Sequence, residues 1–557
     1  MQQRAYLDSN EDAGCNIHLS WPSKPHPINV ILTLTMAHPP TLLTLPDELL
    51  AQILAEVKWG APAPTFPLDG LNFFENLTAN TSPIQNIRLT CRRLASLATP
   101  LLLPVASVSI HDPASVSTFE HIASHPAFAP HVQAVRVHFD AYEPGPADGL
   151  RALAELLVHV WRGSPLLQDP AWNGVFKDWV GLTQGTGESQ IPEESLRLLQ
   201  REHAEYRRRF KAQEELFPTV LDRIAKAMAQ MPRATRLVLD DGPRTVPASV
   251  AAAAAAGGFL VTPTSWTTAF KLRRGAPPID MLFSLPAAVH RAGVTLTGLR
   301  IRRIRLPANI PLWVSPDSEW DAPPPPEAAS LAAACRHLRV LDITPGYEPG
   351  CWPSASLTHL EWPGWSTSME PHRVISEVLG WLLHASSELT HVRVELSVVR
   401  LGGDVPSYEV AMPLPPLPWP RVRVLHLSDG AVEGITLAQF LAAAGRTLEE
   451  LRLDGMRLCS KAVGAWPYTL AQFSWSAVLD RLRAHVGGSG GRLKIRVRSP
   501  DGAEFEDSEV SEEDMKIVAA LFDEDETGLS PVDRYVEGLR DDNPIVTAGK
   551  TKPFYGM

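Results

Sequence analysis

The sequence predicts an α/β protein in which a short all-helical region precedes a longer region of alternating strands and helices. Amphipathic helical patterns occupy residues 45–57 and 84–101, whereas short strand-like runs recur after Pro104. Stretches of helical periodicity, such as "SEVLGWLLHAS" and "LAQFLAAAGRT", lie between some of those runs. A chain of 557 residues is long enough to bury a large core and to form more than one domain.

The composition indicates an ordinary globular protein whose partner is another protein. Hydrophobic residues make up 45% of the chain and charged residues 20%, and the 51 prolines favour short elements joined by stiff loops. The net charge of -11 disfavours nucleic acid and anionic membrane as partners, because both attract positive charge. No apolar run has the roughly 18–20 residues that cross a bilayer. We therefore expect neither nucleic acid nor a membrane as a partner.

The N-terminus lacks the basic start and the continuous apolar core of a secretory signal. Residues 1–40 are expected to be a disordered extension, and Met36 is an alternative natural start of the chain. The cysteines are scattered and odd in number, which is typical of reduced thiols in a cytoplasmic or nuclear protein. They are Cys15, Cys91, Cys335, Cys351 and Cys459.

Two helices are predicted in the first region. In "LPDELLAQILAEV" the apolar residues fall on one stripe with a 3.6-residue period, and Pro46 lies in the first turn, where its missing N–H is tolerated. A second stripe runs through "IQNIRLTCRRLASLATPLL", and Pro100 is expected to end that helix. Two short helices cannot bury both stripes between themselves, so they need a further surface to pack against.

These two helices resemble the F-box in its divergent fungal form, where an L-P-x-E-[LI]-L-x-x-I helix precedes an L-x-x-x-C-[RK]-x-[LWF]-x-x-L-A helix. The resemblance implies a helical domain over residues 41–108, with an insertion at 58–83, that docks on a Skp-type linker subunit and through it on a cullin. The linker-binding residues it implies are Leu45, Pro46, Leu49, Leu50, Ile53, Leu54, Cys91, Arg92 and Leu94. The alternative is a pair of helices from an ordinary all-helical cap.

Over residues 109–500 many of the strand-like runs share the frame L-x-x-L-x-L, which is typical of the strand of a leucine-rich repeat. The frames are Leu338-Leu341-Ile343, Leu357-Leu360-Trp362, Leu389-Val392-Val394, Val422-Leu425-Leu427 and Leu448-Leu451-Leu453. Because their spacing is irregular, the expected fold is α/β, a small all-helical F-box followed by an irregular leucine-rich-repeat-like solenoid. Its longest insertion is expected to be the charged helical segment "RLLQREHAEYRRRFKAQEELFPTVLDRIAKAMAQ". The alternative is a non-repeating α/β domain with parallel strands.

In a repeat of this kind, the polar residues between the apolar ones would share one surface and contact a protein target. They are Asp342, Glu361, Arg393, Glu395, His426, Arg452 and Asp454. The acidic segment 501–557 is expected to cap the end of the domain.

Catalytic and metal-binding patterns are weak. "GGSGG" matches G-x-S-x-G around Ser489, but a helix-like segment precedes it and a strand-like segment follows, the reverse of a nucleophile elbow. His121 and His125 are four residues apart but do not form H-E-x-x-H. We expect no cofactor, no metal and no bond chemistry, with a hydrolase using Ser489 as the remote alternative.

The resemblance therefore implies the substrate-recognition adapter of a Skp–cullin–F-box ubiquitin ligase, bringing a protein target to the ubiquitin-transfer machinery. The competing hypothesis is a scaffold or regulatory protein-interaction module outside any ligase, in which the helix pair serves packing alone.

Overall fold

The computed structural model describes residues 42–59, 71, 73–78, 80–161, 166, 169–185, 187–241, 258–263, 280–302, 326–344, 382–395, 419–428, 431–433, 437, 440–441, 447–459, 474–488, 493–498, 501–502, 516 and 520–548. The chain divides into two compact units, residues 1–50 and 51–557. The predictions for residues 1–40, for Glu361 and its frame, and for Ser489 lie outside the described residues.

Helices and short strands alternate along most of the described chain. The α-helices are α1 (Asp47–Trp59), α2 (Phe73–Thr78), α3 (Thr81–Arg88), α4 (Arg92–Leu102), α5 (Pro113–Ser124), α6 (Pro144–Asp148), α7 (Leu150–Val160), α8 (Pro170–Thr183), α9 (Glu193–Ala229), α10 (Asp280–Arg291), α11 (Pro326–Cys335), α12 (Trp475–Gly488), α13 (Pro531–Val536) and α14 (Pro544–Thr547). The strands are β1 (Val105–Ser109), β2 (Ala134–His138), β3 (Arg236–Asp240), β4 (Gly298–Arg302), β5 (Val340–Thr344), β6 (His391–Glu395), β7 (Val424–Ser428), β8 (Ala431–Glu433), β9 (Glu450–Asp454), β10 (Arg457–Cys459), β11 (Lys494–Arg498) and β12 (Asp501–Gly502).

Within the described residues, nine strands form one open sheet in the order β1-β2-β3-β4-β5-β6-β7-β9-β11. All eight neighbouring pairs are parallel. A smaller parallel sheet has the order β12-β10-β8. Parallel neighbours require long crossover connections, and helices occupy several of them.

The predicted fold of a small all-helical F-box followed by an irregular leucine-rich-repeat-like solenoid is wrong. The structure has instead an open, nine-stranded, all-parallel α/β sheet with helices. The L-x-x-L-x-L frame predicts a strand that buries one face. Such a strand can belong to any parallel sheet, so the frame does not specify a solenoid. The connection from β2 to β3 carries four helices, α6 to α9, which a regular repeat of short units does not contain. The predicted domain boundary at residue 108 lies inside β1.

One face of the large sheet is apolar and packs against helices, forming the main core. Alternate residues of each strand face this side because side chains in a strand point to opposite faces in turn. The buried strand residues are Ala106, Val108, Val135, Val137, Leu237, Leu239, Leu299, Ile301, Leu341, Ile343, Val392, Val394, Leu425, Leu427, Leu451, Leu453, Ile495 and Val497. Helices α5, α9, α10, α11 and α12 contribute buried residues to the same core. The strands predicted at Leu338-Leu341-Ile343, Leu389-Val392-Val394, Val422-Leu425-Leu427 and Leu448-Leu451-Leu453 are confirmed as β5, β6, β7 and β9.

Helix α9 covers the charged segment that the sequence predicts to be helical, and the prediction of a helix is confirmed. Its second half joins the main core through Leu216, Val220 and Ile224. Its first half belongs to a separate helical core with α7 and α8, in which Trp161 and Trp179 are fully buried. The region is therefore integral to the fold, not a surface insertion.

The second predicted helix of the N-terminal region is two helices, α3 and α4, separated at residues 89–91. Cys91 is the N-cap of α4, and its Sγ accepts a hydrogen bond from the backbone N–H of Leu94 at 3.5 Å. Pro100 does not end the helix, since α4 continues to Leu102. Within the unit that begins at residue 51, Leu54 packs with Ile84 and Ala98 in a small helical core.

Candidate functional site

The face of the large sheet opposite the main core is called here the polar face, and its middle row of side chains is unusually charged. Strand register places one residue of each strand side by side in that row. The row reads Ser107, Arg136, Val238, Arg300, Asp342, Arg393, His426, Arg452 and Arg496. Neighbouring strands lie about 4.8 Å apart, so adjacent members of the row can interact directly.

The first half of the polar face, over β1 to β5, is covered by the chain itself. Leu71, Phe73, Phe74 and Leu77 are buried there, in a cluster with the strand residues Val105, Ala134, Val238 and Val340. The sequence treats residues 58–83 as an insertion, whereas these four side chains form part of the interior. Strands β3, β4 and β5 are accordingly buried on both faces, as is usual for a parallel sheet.

Arginines under this cover lie against the two phenylalanine rings. The guanidinium carbon of Arg136 is 5.3 Å from the ring centre of Phe74, and that of Arg300 is 5.8 Å from it. Arg236 lies 5.6 Å from the ring centre of Phe73. Cation–π attraction therefore helps to hold these cations under an apolar cover.

Buried carboxylates balance the arginines of the covered half. Asp342 is fully buried, and its Oδ2 lies 3.0 Å from Nε of Arg300 and 3.7 Å from Nη1 of Arg393. Asp240, also fully buried, forms an ion pair with Arg136. Because taking a charge out of water costs several kcal/mol, such groups persist only when they are paired closely.

In the second half of the polar face, over β6 to β11, the residues that point away from the core are partly exposed in β6 and β7 and partly or fully exposed in β9 and β11. Arg452 is 57% exposed in its side chain, and its Nε donates a hydrogen bond to Oε1 of Glu450 at 2.6 Å. The same Oε1 lies 3.1 Å from Nε2 of His426. This half therefore presents charged side chains, such as that of Arg452, to solvent.

The pKa of His426 is lowered from its usual 6.5 to about 4, chiefly by burial, and the neighbouring charges of Arg452 and Arg393 act in the same direction. Glu450 acts in the opposite direction but does not outweigh them. The imidazole is accordingly neutral at pH 7, and the positive charge of the row at this point comes from arginine.

The last strand is joined to the C-terminal segment. Val497 donates its backbone N–H to Oδ1 of Asp533 at 3.2 Å, so the edge of the sheet at β11 is partly paired. Arg496 Nη1 donates to Oε1 of Glu537 at 2.7 Å. Arg498 forms an ion pair with Glu524.

The structure brings six of the seven predicted target contacts onto the polar face. Asp342, Arg393, His426 and Arg452 occupy consecutive positions of the middle row. Glu395 and Asp454 lie in the next row, nearer the carboxyl ends of the strands, with Ser428 between them. Asp342 is fully buried, so the prediction that it contacts a target is wrong, because its carboxylate is paired with Arg300 inside the fold. The other five share an accessible face, and target binding by them stays a prediction.

Sequence reasoning missed Arg300, Arg496 and the covering phenylalanines. The alternation in "GLRIR" and "KIRVR" is the same apolar and polar pattern that identifies the other strands, and it would have placed both arginines on this face. Nothing in "LNFFENLT" signals which surface Phe73 and Phe74 cover.

The predicted linker-binding residues differ widely in accessibility. In the first unit, Leu49 is 43% exposed, Pro46 is exposed, Leu45 is partly exposed and Leu50 is buried. In the second unit, Leu54 and Leu94 are buried, Ile53 and Cys91 are partly exposed, and Arg92 is exposed. A partner can therefore reach Pro46, Leu49 and Arg92, whereas Leu50, Leu54 and Leu94 pack inside the chain.

Among the described residues, no helix is both long and apolar enough to traverse a bilayer. The described part of the chain also holds no group of three His, Cys, Asp or Glu side chains positioned to bind a metal ion. Comparison with known protein families found none that matches the chain, and a search of characterised proteins found no match either.

Proposed function

We propose that the protein is a substrate-recognition adapter, in which the N-terminal helices bind the Skp-type linker subunit of a cullin ubiquitin ligase and the polar face holds a protein target. The adapter performs no bond chemistry. By holding a target lysine close to a ubiquitin-charged enzyme, it makes ubiquitin transfer effectively intramolecular.

The observation that carries this proposal is the exposure of large apolar residues at the start of α1. Leu43 and Leu49 are both exposed, on either side of the exposed Pro46. An exposed leucine forgoes about 1.5–3 kcal/mol of burial energy, which a partner surface would recover. These residues include two of those that the F-box resemblance implies for linker contact.

The distribution of exposed apolar side chains points the same way. Of the seven large hydrophobic residues that are exposed in the described chain, four lie between residues 43 and 89 of the sequence. Leu89, in the turn between α3 and α4, is 82% exposed. Leu43 and Leu49 belong to the first unit and Val57 and Leu89 to the second, so each unit carries two exposed apolar residues of the predicted F-box region.

The test is co-purification of the full chain with a Skp-type subunit, comparing wild type with Leu49→Asp. Because Leu49 is exposed, the variant should stay folded and lose the subunit. Leu539→Asp is the matched control, since Leu539 is an exposed leucine in the C-terminal segment, and it should keep the subunit. Leu54→Asp is the control for unfolding. Because Leu54 is buried, this variant should lose the subunit by losing its fold.

Failure of folded wild type to bind the linker subunit would remove the adapter proposal. The scaffold hypothesis would then take its place, with the polar face as its binding surface. Equal loss of the subunit in Leu49→Asp and Leu539→Asp would also contradict the assignment of the site to α1.

A further inference from the structure

Two arginines lie directly opposite each other in the exposed half of the polar face. The register of β9 and β11 pairs Arg452 with Arg496. Like charges that face each other across neighbouring strands destabilise a sheet. The rows on either side do the reverse, because the same register pairs Glu450 with Lys494 and Asp454 with Arg498. The concentration of positive charge is thus confined to the middle row.

Basic residues also occupy the middle row on the side of the covered half. Next to Arg452 is His426, and beyond it is Arg393. From β4 to β11 the row contains four arginines and one aspartate, a net charge of +3 with His426 neutral. Glu450 and Glu537, which bind Arg452 and Arg496 from outside the row, reduce this to +1. A positive surplus remains on a chain whose net charge is -11.

We infer that Arg393, Arg452 and Arg496 bind an acidic segment of a protein, with its carboxylates seated along the middle row. The guanidinium group matches a carboxylate in charge and planar geometry, and Arg–carboxylate hydrogen bonds are among the strongest in proteins. A carboxylate between Arg452 and Arg496 would turn a repulsive pair into two attractive contacts. The identification of this acidic segment with the target of the ligase rests on the proposed function. The binding of an acidic segment to the row does not depend on that function.

The spacing of the row suits an extended acidic chain. Arg393 and Arg496 are three strand steps apart, roughly 14 Å at about 4.8 Å per step. Alternate side chains of an extended chain are about 6.8 Å apart, so acidic residues at positions i, i+2 and i+4 cover a similar length. Nucleic acid fits less well, because its binding depends on many cations spread over a surface, whereas here the positive charge is confined to one row.

The experiment measures binding of a fluorescein-labelled hexaglutamate peptide to the full chain by anisotropy, with hexaglutamine as the uncharged control. Wild type should bind hexaglutamate at low salt and lose affinity as salt is raised, and it should not bind hexaglutamine. Arg452→Ala should weaken binding about tenfold, equivalent to about 1.4 kcal/mol. Arg207→Ala, which removes an exposed arginine from α9, should leave the affinity unchanged.

Absence of hexaglutamate binding by wild type would overturn the inference. So would equal effects of Arg452→Ala and Arg207→Ala, since nonspecific attraction does not depend on position. The adapter proposal is separable, because Leu49→Asp should lose the linker subunit and still bind hexaglutamate. If wild type binds the peptide but not the linker subunit, only the adapter proposal is contradicted. If it binds the linker subunit but not the peptide, only this inference is contradicted.

Discussion

The two halves of the polar face share one sheet and one register, yet they are stabilised differently. Over β1 to β5 the apolar residues of segment 71–78 cover the charges, and Asp342 with Arg300 is removed from solvent. Over β6 to β11 the same row contains Arg452, which is largely exposed. The covered half uses its charges for the interior of the fold, whereas the exposed half keeps them available to a partner. Burial, not residue type, separates the arginines that serve the interior from those that solvent can reach.

The comparison between the two halves predicts the largest loss of stability for variants of segment 71–78, which covers the first half of the polar face. Phe73→Ala should lower the free energy of unfolding by about 3–5 kcal/mol, because Phe73 is fully buried and its loss leaves a cavity beside Arg236. Chemical denaturation measures this. Leu539→Ala, at an exposed position, should change stability by less than about 0.5 kcal/mol. A loss below about 1 kcal/mol for Phe73→Ala would show that segment 71–78 does not cover the sheet.

Breaking the ion pair under the cover should cost about as much. Asp342→Asn leaves the buried guanidinium of Arg300 without its counter-charge, so the free energy of unfolding should fall by about 3–5 kcal/mol. The double variant Arg300→Met with Asp342→Leu should recover much of that loss, because neither charge is then buried. Denaturation of the three proteins measures both effects. A double variant less stable than Asp342→Asn would refute the role assigned to buried charge.

His426, at the border of the exposed half, should make the free energy of unfolding depend on pH by at most about 3 kcal/mol. The pKa of His426 is about 4 in the folded chain and near 6.5 when the chain unfolds, so the unfolded state takes up a proton first as the pH falls. Stability from this group is complete above pH 6.5 and is lost between pH 6.5 and 4. His426→Gln should flatten the pH dependence of unfolding in that window. An unchanged slope would mean that His426 titrates normally.

The smallest effect on stability is expected at Arg452. Arg452→Ala should change the free energy of unfolding by no more than about 0.5 kcal/mol, because an ion pair with an exposed arginine contributes little. Thermal or chemical denaturation would detect a larger change. A loss comparable to that of Asp342→Asn would make Arg452 a structural residue and would remove the distinction between the two halves.

Several parts of this arrangement could be predicted from local pattern. The frames around Leu341, Val392, Leu425 and Leu451 identify strands because alternation of apolar and polar residues has the period of a strand. That alternation also places Asp342, Arg393, His426 and Arg452 on the side away from the apolar core. The long helix α9 follows from its periodicity in the same way. These inferences use only residues that are close in sequence. They hold because the period of a helix or strand is a property of the local backbone.

Other parts could not be predicted, because they depend on contacts between residues distant in sequence. Phe73 and Phe74 lie in a proline-containing stretch without clear periodicity, and their burial is decided by the strands they reach. Leu50 and Leu49 are adjacent in one amphipathic pattern, yet Leu50 is buried and Leu49 is exposed. The solenoid prediction failed for the same reason, since a strand pattern does not state the length or packing of its connections.

The sequence by itself therefore determined the α/β class, the positions of several strands, the acidic net charge and the alternation that puts charged residues on one side of those strands. Tertiary structure alone decided that nine strands share an open parallel sheet, that Arg452 stands opposite Arg496, and that one half of the polar face is covered while the other is exposed. The physical reason is that periodicity is a property of the local backbone, whereas register, cover and charge pairing arise only when distant segments pack.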